Sequence, residues 1–288
     1  MKEILKDERL RAMVVAAVSG GREVMQVYSG EISVEKKADS SPLTEADRRS
    51  HDRIEEILRS ADPDTPILSE EGAHDEFSVR RSWERYYLID PLDGTKEFIK
   101  RNGEFTINVA LMERDGEYAV PRAGVVYAPD MGLLYVGVVA ERSAWLIREF
   151  NPDRPAEEQT ARRLPVSASR QGRPYTIVAS RSHLSPETEA FIEERRLAHP
   201  ELDLISAGSS LKLCRVAEGA ADEYPRFAPT MEWDTAAGDA VARAAGFAVV
   251  EWTDGDEEGP RPVPAGPGAP LRYNKEDLHN PWFLVFNP

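Results

Sequence analysis

Cysteine is nearly missing from this chain of 288 residues: it has one, Cys214, so no intrachain disulfide can form. Cys214 ends the run Leu211-Lys212-Leu213-Cys214, an apolar context that predicts a buried, inert thiol. Long apolar runs are missing too, and no stretch approaches the ~20 residues of a membrane-spanning helix. The opening Met1-Lys2-Glu3-Ile4-Leu5-Lys6-Asp7-Glu8 is too charged for a signal peptide, so the expected location is cytoplasmic. Positive charge is scarce: 36 basic residues face 51 acidic ones, for a net charge of −15. Such a surface repels polynucleotides and anionic membranes at long range, which argues against a nucleic-acid partner. A small anionic substrate then needs a local site of opposite sign, made by a metal or by clustered Lys and Arg. Histidine is also rare, with five in all. What is present is an ordinary hydrophobic fraction of 41%, in a chain long enough for one large domain or two average ones.

Apolar residues between Ile4 and Tyr28 recur mainly at helical spacing and predict an amphipathic helix over 4–28, interrupted at Gly20-Gly21. Ser41-Pro42-Leu43-Thr44-Glu45-Ala46-Asp47 opens a second helix reaching Ser60, with Thr44 and Asp47 at capping-box spacing. Strand-like runs follow at 66–69, 86–89, 105–112, 122–128, 132–139 and 143–147, most of them antiparallel candidates joined by short turns. Residues 149–163 are polar, contain Pro152 and Pro155, and read as a linker. Beyond it, strands at 175–179 and 202–205, an extended piece at 220–224 and a strand at 248–252 alternate with helices at 186–197, 209–218 and 234–245. That rhythm suggests an α/β layer. Residues 253–270, acidic and then rich in Pro and Gly, read as a surface loop. The expected division is an N-terminal α+β domain, 1–160, carrying an antiparallel sheet and the metal motifs, and a C-terminal α/β domain, 161–288, that completes the site.

The hexapeptide Asp90-Pro91-Leu92-Asp93-Gly94-Thr95 follows the strand end Tyr86-Tyr87-Leu88-Ile89 and precedes a helix start, Lys96-Glu97-Phe98-Ile99. Two carboxylates three residues apart on a rigid turn suit a hard divalent cation. Glu70 and Asp234 also stand at the ends of apolar segments. Four converging carboxylates raise one another's pKa. Bound Mg²⁺ removes that cost, and two such ions clamp a phosphate, activate water and stabilise a leaving oxygen. Each acid alone has a plainer reading. Asp234 fits a helix N-cap, Glu70-Glu71 solvated loop charge, Asp47 a capping-box member, and Asp90 with Asp93 a tight Asx-type turn. The D-x-D-x-T loop of haloacid-dehalogenase phosphatases fails on register, because Pro91 stands where its first aspartate is required.

Together, Leu68-Ser69-Glu70-Glu71-Gly72, the hexapeptide and Trp233-Asp234-Thr235-Ala236-Ala237-Gly238 resemble, in order and over nearly the whole chain, the motifs of the inositol monophosphatase superfamily. Four further segments are most similar to its 3′(2′),5′-bisphosphate nucleotidase branch. They are Lys37-Ala38-Asp39-Ser40-Ser41-Pro42-Leu43-Thr44, residues 96–105, Gly208-Ser209-Ser210-Leu211-Lys212 and Tyr224-Pro225-Arg226-Phe227. The resemblance implies a layered αβαβα sandwich and hydrolysis of 3′-phosphoadenosine 5′-phosphate to AMP and phosphate in sulfur assimilation. Inositol monophosphatase or sugar bisphosphatase activity is the alternative on the same scaffold. By resemblance, Glu70, Asp90, Asp93, Asp234 and the Leu92 carbonyl hold two or three Mg²⁺, while Asp47 and Thr95 orient and activate the attacking water. Leu92, Asp93, Gly94 and Thr95, with Glu70 and Asp234, line the phosphate site. Inhibition by Li⁺, a homodimer and a weak peripheral association with the inner membrane face also come with the resemblance; nothing in this acidic, anchor-free sequence supports the last.

A nucleotide phosphorylated at both 3′ and 5′ needs cations besides the metals. Lys212 and Arg226 are candidates for the second phosphate, with Ser209 as a supporting hydrogen-bond partner. Their plainer readings are a solvated helix residue and a loop charge. His183, in Ser180-Arg181-Ser182-His183, reads first as a local structural residue and second as a nucleotide contact. Lys96, Lys100 and Arg101 form a basic strip that either steers substrate or is an exposed helix face. Lys36 and Lys37 both stand near Asp39, and the sequence does not choose between them.

Overall fold

Helix α1, Glu8–Tyr28, starts at Asp7, whose side chain accepts from Leu10 N at 2.8 Å. The computed structural model describes residues 6–36, 42–155, 158–166, 172–179, 184–253 and 266–288. The first residues of the expected helix, the 37–41 segment with Lys37 and Asp39, the 180–183 segment with His183, and most of the 253–270 stretch therefore lie outside the described residues. Contrary to expectation, α1 runs unbroken through Gly20-Gly21. The pair costs helix propensity but permits close packing. A Cβ on Gly20 would meet Ser50 Oγ at 2.7 Å, and one on Gly21 would meet Tyr127 Cε1 at 2.5 Å. Helix α2, Glu45–Ala61, packs along α1 and begins with the expected capping box. Thr44 donates to Asp47 Oδ2 through both its N–H, at 2.8 Å, and its hydroxyl, at 2.7 Å.

Strands β1, Val34–Lys36, and β2, Pro42–Thr44, form a small antiparallel pair. A seven-stranded sheet follows in chain order. It comprises β3 (Ile67–Ser69), β4 (Arg85–Asp93), β5 (Thr106–Asp115), β6 (Tyr118–Ala128), β7 (Leu133–Val138), β8 (Ser143–Ile147) and β9 (Ala161–Arg163). All its neighbours are antiparallel except β3 and β4. The expected linker at 149–163 thus ends as an edge strand, β9 on β8. Two short helices, α3 (Phe77–Arg80) and α4 (Thr95–Ile99), flank β4.

The hexapeptide does not simply follow a finished strand: β4 runs on through Asp90-Pro91-Leu92 to Asp93. Asp90 pairs with Asn108 and Asp93 with Thr106, so Pro91 and Leu92 together oppose Ile107 alone. That two-against-one register is a β-bulge, which bends a strand and tolerates a proline without an N–H to donate.

The second sheet has six strands in the order β11-β10-β12-β15-β13-β14. They are β10 (Thr176–Ala179), β11 (Asp203–Ser206), β12 (Glu223–Arg226), β13 (Ala248–Thr253), β14 (Gly266–Pro270) and β15 (Phe283–Phe286). The end of the expected 253–270 loop is therefore strand β14, paired with β13. Helices α5 (Pro186–Ala198), α6 (Leu211–Ala217) and α7 (Glu232–Ala244) complete the chain.

Three apolar clusters among the described residues glue the layers. One joins α1 and α2 to the seven-stranded sheet. The second fills the space between the two sheets, around α6 and α7, and contains Cys214. The third joins the six-stranded sheet to α5 through Ile177, Phe191, Phe227 and Trp252. The result is the αβαβα sandwich. Helix α7 is built from small residues and lies against β6 and β7, where a Cβ on Gly124 would stand 2.3 Å from the Ala237 carbonyl oxygen.

Candidate active site

The β4 bulge and the first turn of α7 meet. Asp90, Asp93 and Asp234 each offer a carboxylate oxygen, and these atoms lie within 4.8 Å of one another. Asp90 is 1% exposed, and its Oδ1 accepts from Leu92 N at 3.0 Å, so the Asx-type turn is present as well. Asp93 Oδ2 accepts from Ser210 N at 2.7 Å, with Asn108 Nδ2 at 3.3 Å and Thr106 Oγ1 at 3.4 Å. Asp234 is not the N-cap of α7; it sits three residues after Met231 and accepts from Met231 N at 2.9 Å. Burial, and then the charges of Glu70, Asp93 and Asp234, push the Asp90 carboxyl well above its ordinary range. Burial also raises Asp93, opposed chiefly by Lys212. Asp234 is pushed up to about 8, by burial first and Asp93 second. Glu70, at the end of β3, is not in the 4.8 Å set, but its charge acts on both Asp90 and Asp234.

Beside the carboxylates, Thr95 Oγ1 donates to Asp47 Oδ1 at 3.3 Å, with the Leu92 carbonyl at 3.4 Å. Asp47 Oδ2 is already held by Thr44. The structure therefore joins α2, the β4 bulge and α4 at one hydroxyl. Gly94, with φ of 89°, makes the left-handed step into α4 that a side chain would resist.

A cleft of about 190 Å³ opens from the cluster, lined by Asp93, Gly94, Glu97, Ser209, Lys212, Arg226, Thr230 and Asp234 among others. Lys212 is buried, against the plainer expectation of a solvated helix residue. Its Nζ donates to the carbonyls of Ser209 at 2.9 Å and Ala207 at 3.3 Å. Burial lowers its pKa to about 8. Arg226 donates to Pro229 O at 2.9 Å, and its Nε is buried without a partner among the described residues. The Ser209 hydroxyl stands 2.8 Å from the carbonyls of both Asp93 and Glu104. Of the expected basic strip, Lys96 and Lys100 are exposed, whereas Arg101 donates to the Tyr28 and Gly30 carbonyls and clamps the end of α1. Cys214 is fully buried, and burial raises its pKa.

The model of the inositol monophosphatase family matches residues 5–279. The chain belongs to that family. Its members are metal-dependent phosphatases. Among relatives, the 3′(2′),5′-bisphosphate nucleotidase CysQ of Escherichia coli K12 is 44% identical over 272 residues, 93% of this chain and 96% of that one. CysQ of Salmonella typhimurium is 46% identical over the same shares. The crystal structure of CysQ from Bacteroides thetaiotaomicron, a bacterial member of the family, superposes with a TM-score of 0.80 at 44% identity, covering 96% of each chain. No helix among the described residues is long and apolar enough to cross a membrane.

The family motifs point to the acids but not to what supports them. Asn108 and Ser210 hold Asp93, and neither is among the site residues that the sequence motifs assign. A signal exists for Asn108, which with Thr106 is polar in the otherwise apolar run Thr106-Ile107-Asn108-Val109-Ala110, a fully buried stretch of strand. Ser210 lies in the segment Gly208-Ser209-Ser210-Leu211-Lys212 that resembles the nucleotidase branch, but its contact with Asp93 is visible only in the tertiary structure.

Proposed function

We propose that the chain is a Mg²⁺-dependent 3′(2′),5′-bisphosphate nucleotidase that converts 3′-phosphoadenosine 5′-phosphate and water to AMP and phosphate. The observation that carries this reading is one cleft in which the carboxylate cluster stands beside two buried or half-buried cations, Lys212 and Arg226. The names and similarity of the CysQ relatives support the same substrate.

The cluster fits a hard divalent ion. Its three donors are all carboxylates, and burial and mutual repulsion hold their proton affinity high, a cost that a cation relieves. In this reading Asp90, Asp93 and Asp234 hold Mg²⁺, with Glu70 and the Leu92 carbonyl as further ligands, and Li⁺ inhibits by competing there. Bound Mg²⁺ supplies Lewis-acid polarisation of the phosphoryl group and stabilises charge on the departing 3′-oxygen. Thr95 orients the attacking water. Its hydroxyl proton points to Asp47, leaving an Oγ1 lone pair to accept from the water. Asp47, fixed through its other oxygen by Thr44, receives the proton relayed by Thr95. Phosphoryl transfer needs positioning and charge neutralisation more than covalent help, which suits a cleft with no histidine among its described lining residues. Lys212 and Arg226 take the second phosphate, Arg226 through the guanidinium face that Pro229 does not occupy.

Phosphate release from 3′-phosphoadenosine 5′-phosphate and from inositol 1-phosphate, measured side by side with Mg²⁺, tests the reading. A clear preference for the nucleotide is expected. A preference for the inositol ester would sink it and favour the alternative activity.

A further inference from the structure

Asp93 and Asp234 belong to elements far apart in sequence, β4 and α7, and one residue touches both. Ser210 stands at the start of α6, between the two sheets. Its backbone N–H donates to Asp93 Oδ2 at 2.7 Å, and its hydroxyl donates to the Asp234 carbonyl at 2.5 Å. The same hydroxyl accepts from Asn108 Nδ2 at 2.9 Å, and Asn108 also reaches Asp93 Oδ2 at 3.3 Å. Asn108 in turn faces Asp90 across the β4–β5 ladder. Ser210 and Asn108 are each 1% exposed and stand behind the residues that line the cleft. Together they form a strut beneath three carboxylates that repel one another.

We propose that Ser210 is a positioning residue that fixes the spacing of Asp93 and Asp234 and thereby sets the affinity of the site for a divalent cation. This rests on the metal-site reading given above. An oxygen set held at its final spacing has no reorganisation to undergo when the ion enters. With the strut cut, like charges relax apart and must be drawn back. A serine needed only for packing would alter melting temperature and leave ion affinity alone.

The test is Mn²⁺ binding to the substrate-free full chain, followed by calorimetry and by the EPR signal of free Mn²⁺, with thermal melts recorded alongside. Ser210→Ala is expected to weaken Mn²⁺ binding roughly tenfold or more, the usual scale for a partner behind a metal ligand. Ser210→Thr, which keeps the hydroxyl, restores affinity. Wild-type affinity in Ser210→Ala overturns the proposal whatever the melting temperature, and so does a Thr variant as weak as Ala. Should Ser210→Ala not fold, Ser210→Cys, which replaces the hydroxyl that reaches the Asp234 carbonyl by a weakly hydrogen-bonding thiol, carries the test, and unchanged affinity there overturns the proposal. A wild-type chain that binds no Mn²⁺ at all fails the metal reading itself, a separate outcome.

Discussion

At the scale of single residues, the plain and the functional readings of an acid coexist, because a carboxylate has two oxygens and several lone pairs. Asp47 caps α2 through Oδ2 and receives Thr95 through Oδ1. Asp90 closes a local turn and still joins the cluster. Asp93 accepts from an N–H, an amide and a hydroxyl while lying among like charges. In Asp93→Asn an amide oxygen can still accept from Ser210, and one charge leaves a repelling set. Turnover is expected to fall by at least ~10²-fold, the scale of removing preorganised charge stabilisation, with a melting temperature equal to wild type or higher. Steady-state kinetics and a thermal melt check both halves; an unfolded variant, or an unchanged kcat, contradicts the assignment.

At the scale of elements, two devices build the site. The β4 bulge turns Asp90 and Asp93 toward one place, and Pro91 fits there because the bulge requires no N–H from it. Helix α7 brings Asp234 to them, and it lies close to the sheet because glycines on β6 and β7 face it. Gly124→Ala would set a methyl against the Ala237 carbonyl and push the helix outward. The expected cost is about 1–3 kcal/mol, the range for overpacking, with a fall in activity as Asp234 moves. Urea titration and kinetics together check this, and a variant that is neither less stable nor less active counts against the account. The long helices and the antiparallel strands were legible from periodicity, with ends misplaced by a few residues. The short strands β9 and β14 carry the composition of a linker and a loop, and β15 has no distinct strand pattern. Three to five residues carry too little pattern, and their partners are chosen across the sheet rather than along the chain.

At the scale of the whole molecule, the carboxylate cluster ties stability to pH and to metal. Asp234 is raised to about 8 in the fold, against about 3.9 for an unfolded aspartate. The folded form therefore binds the proton more tightly, so its contribution to stability is full below about pH 4 and is lost as pH rises through about 8. Asp90 and Asp93 are shifted in the same direction. Lys212, depressed to about 8, acts with the opposite sign only above that value. The metal-free protein is expected to melt at a lower temperature at pH 8 than at pH 6, and added Mg²⁺ to raise the melting temperature more at pH 8. Scanning fluorimetry with chelator and then with Mg²⁺ checks this; a metal-free melting temperature that rises between pH 6 and 8 runs against it.

What the sequence determined by itself was the long helices, the run of antiparallel strands and the capping of α2, because each rests on local spacing: helical period, alternation, capping box; the layer order and the set of acids came with the family resemblance. The tertiary structure alone decided which atoms face one another. It turned Lys212 inward onto two carbonyls, tied Arg101 to α1, made Asp234 a third-position partner rather than a cap, and set Ser210 and Asn108 beneath the cluster. The physical reason is range. A turn or a cap is settled by residues three or four apart, whereas the contact from Asp93 to Ser210 spans 117 positions and exists only once two sheets have closed on the helices between them.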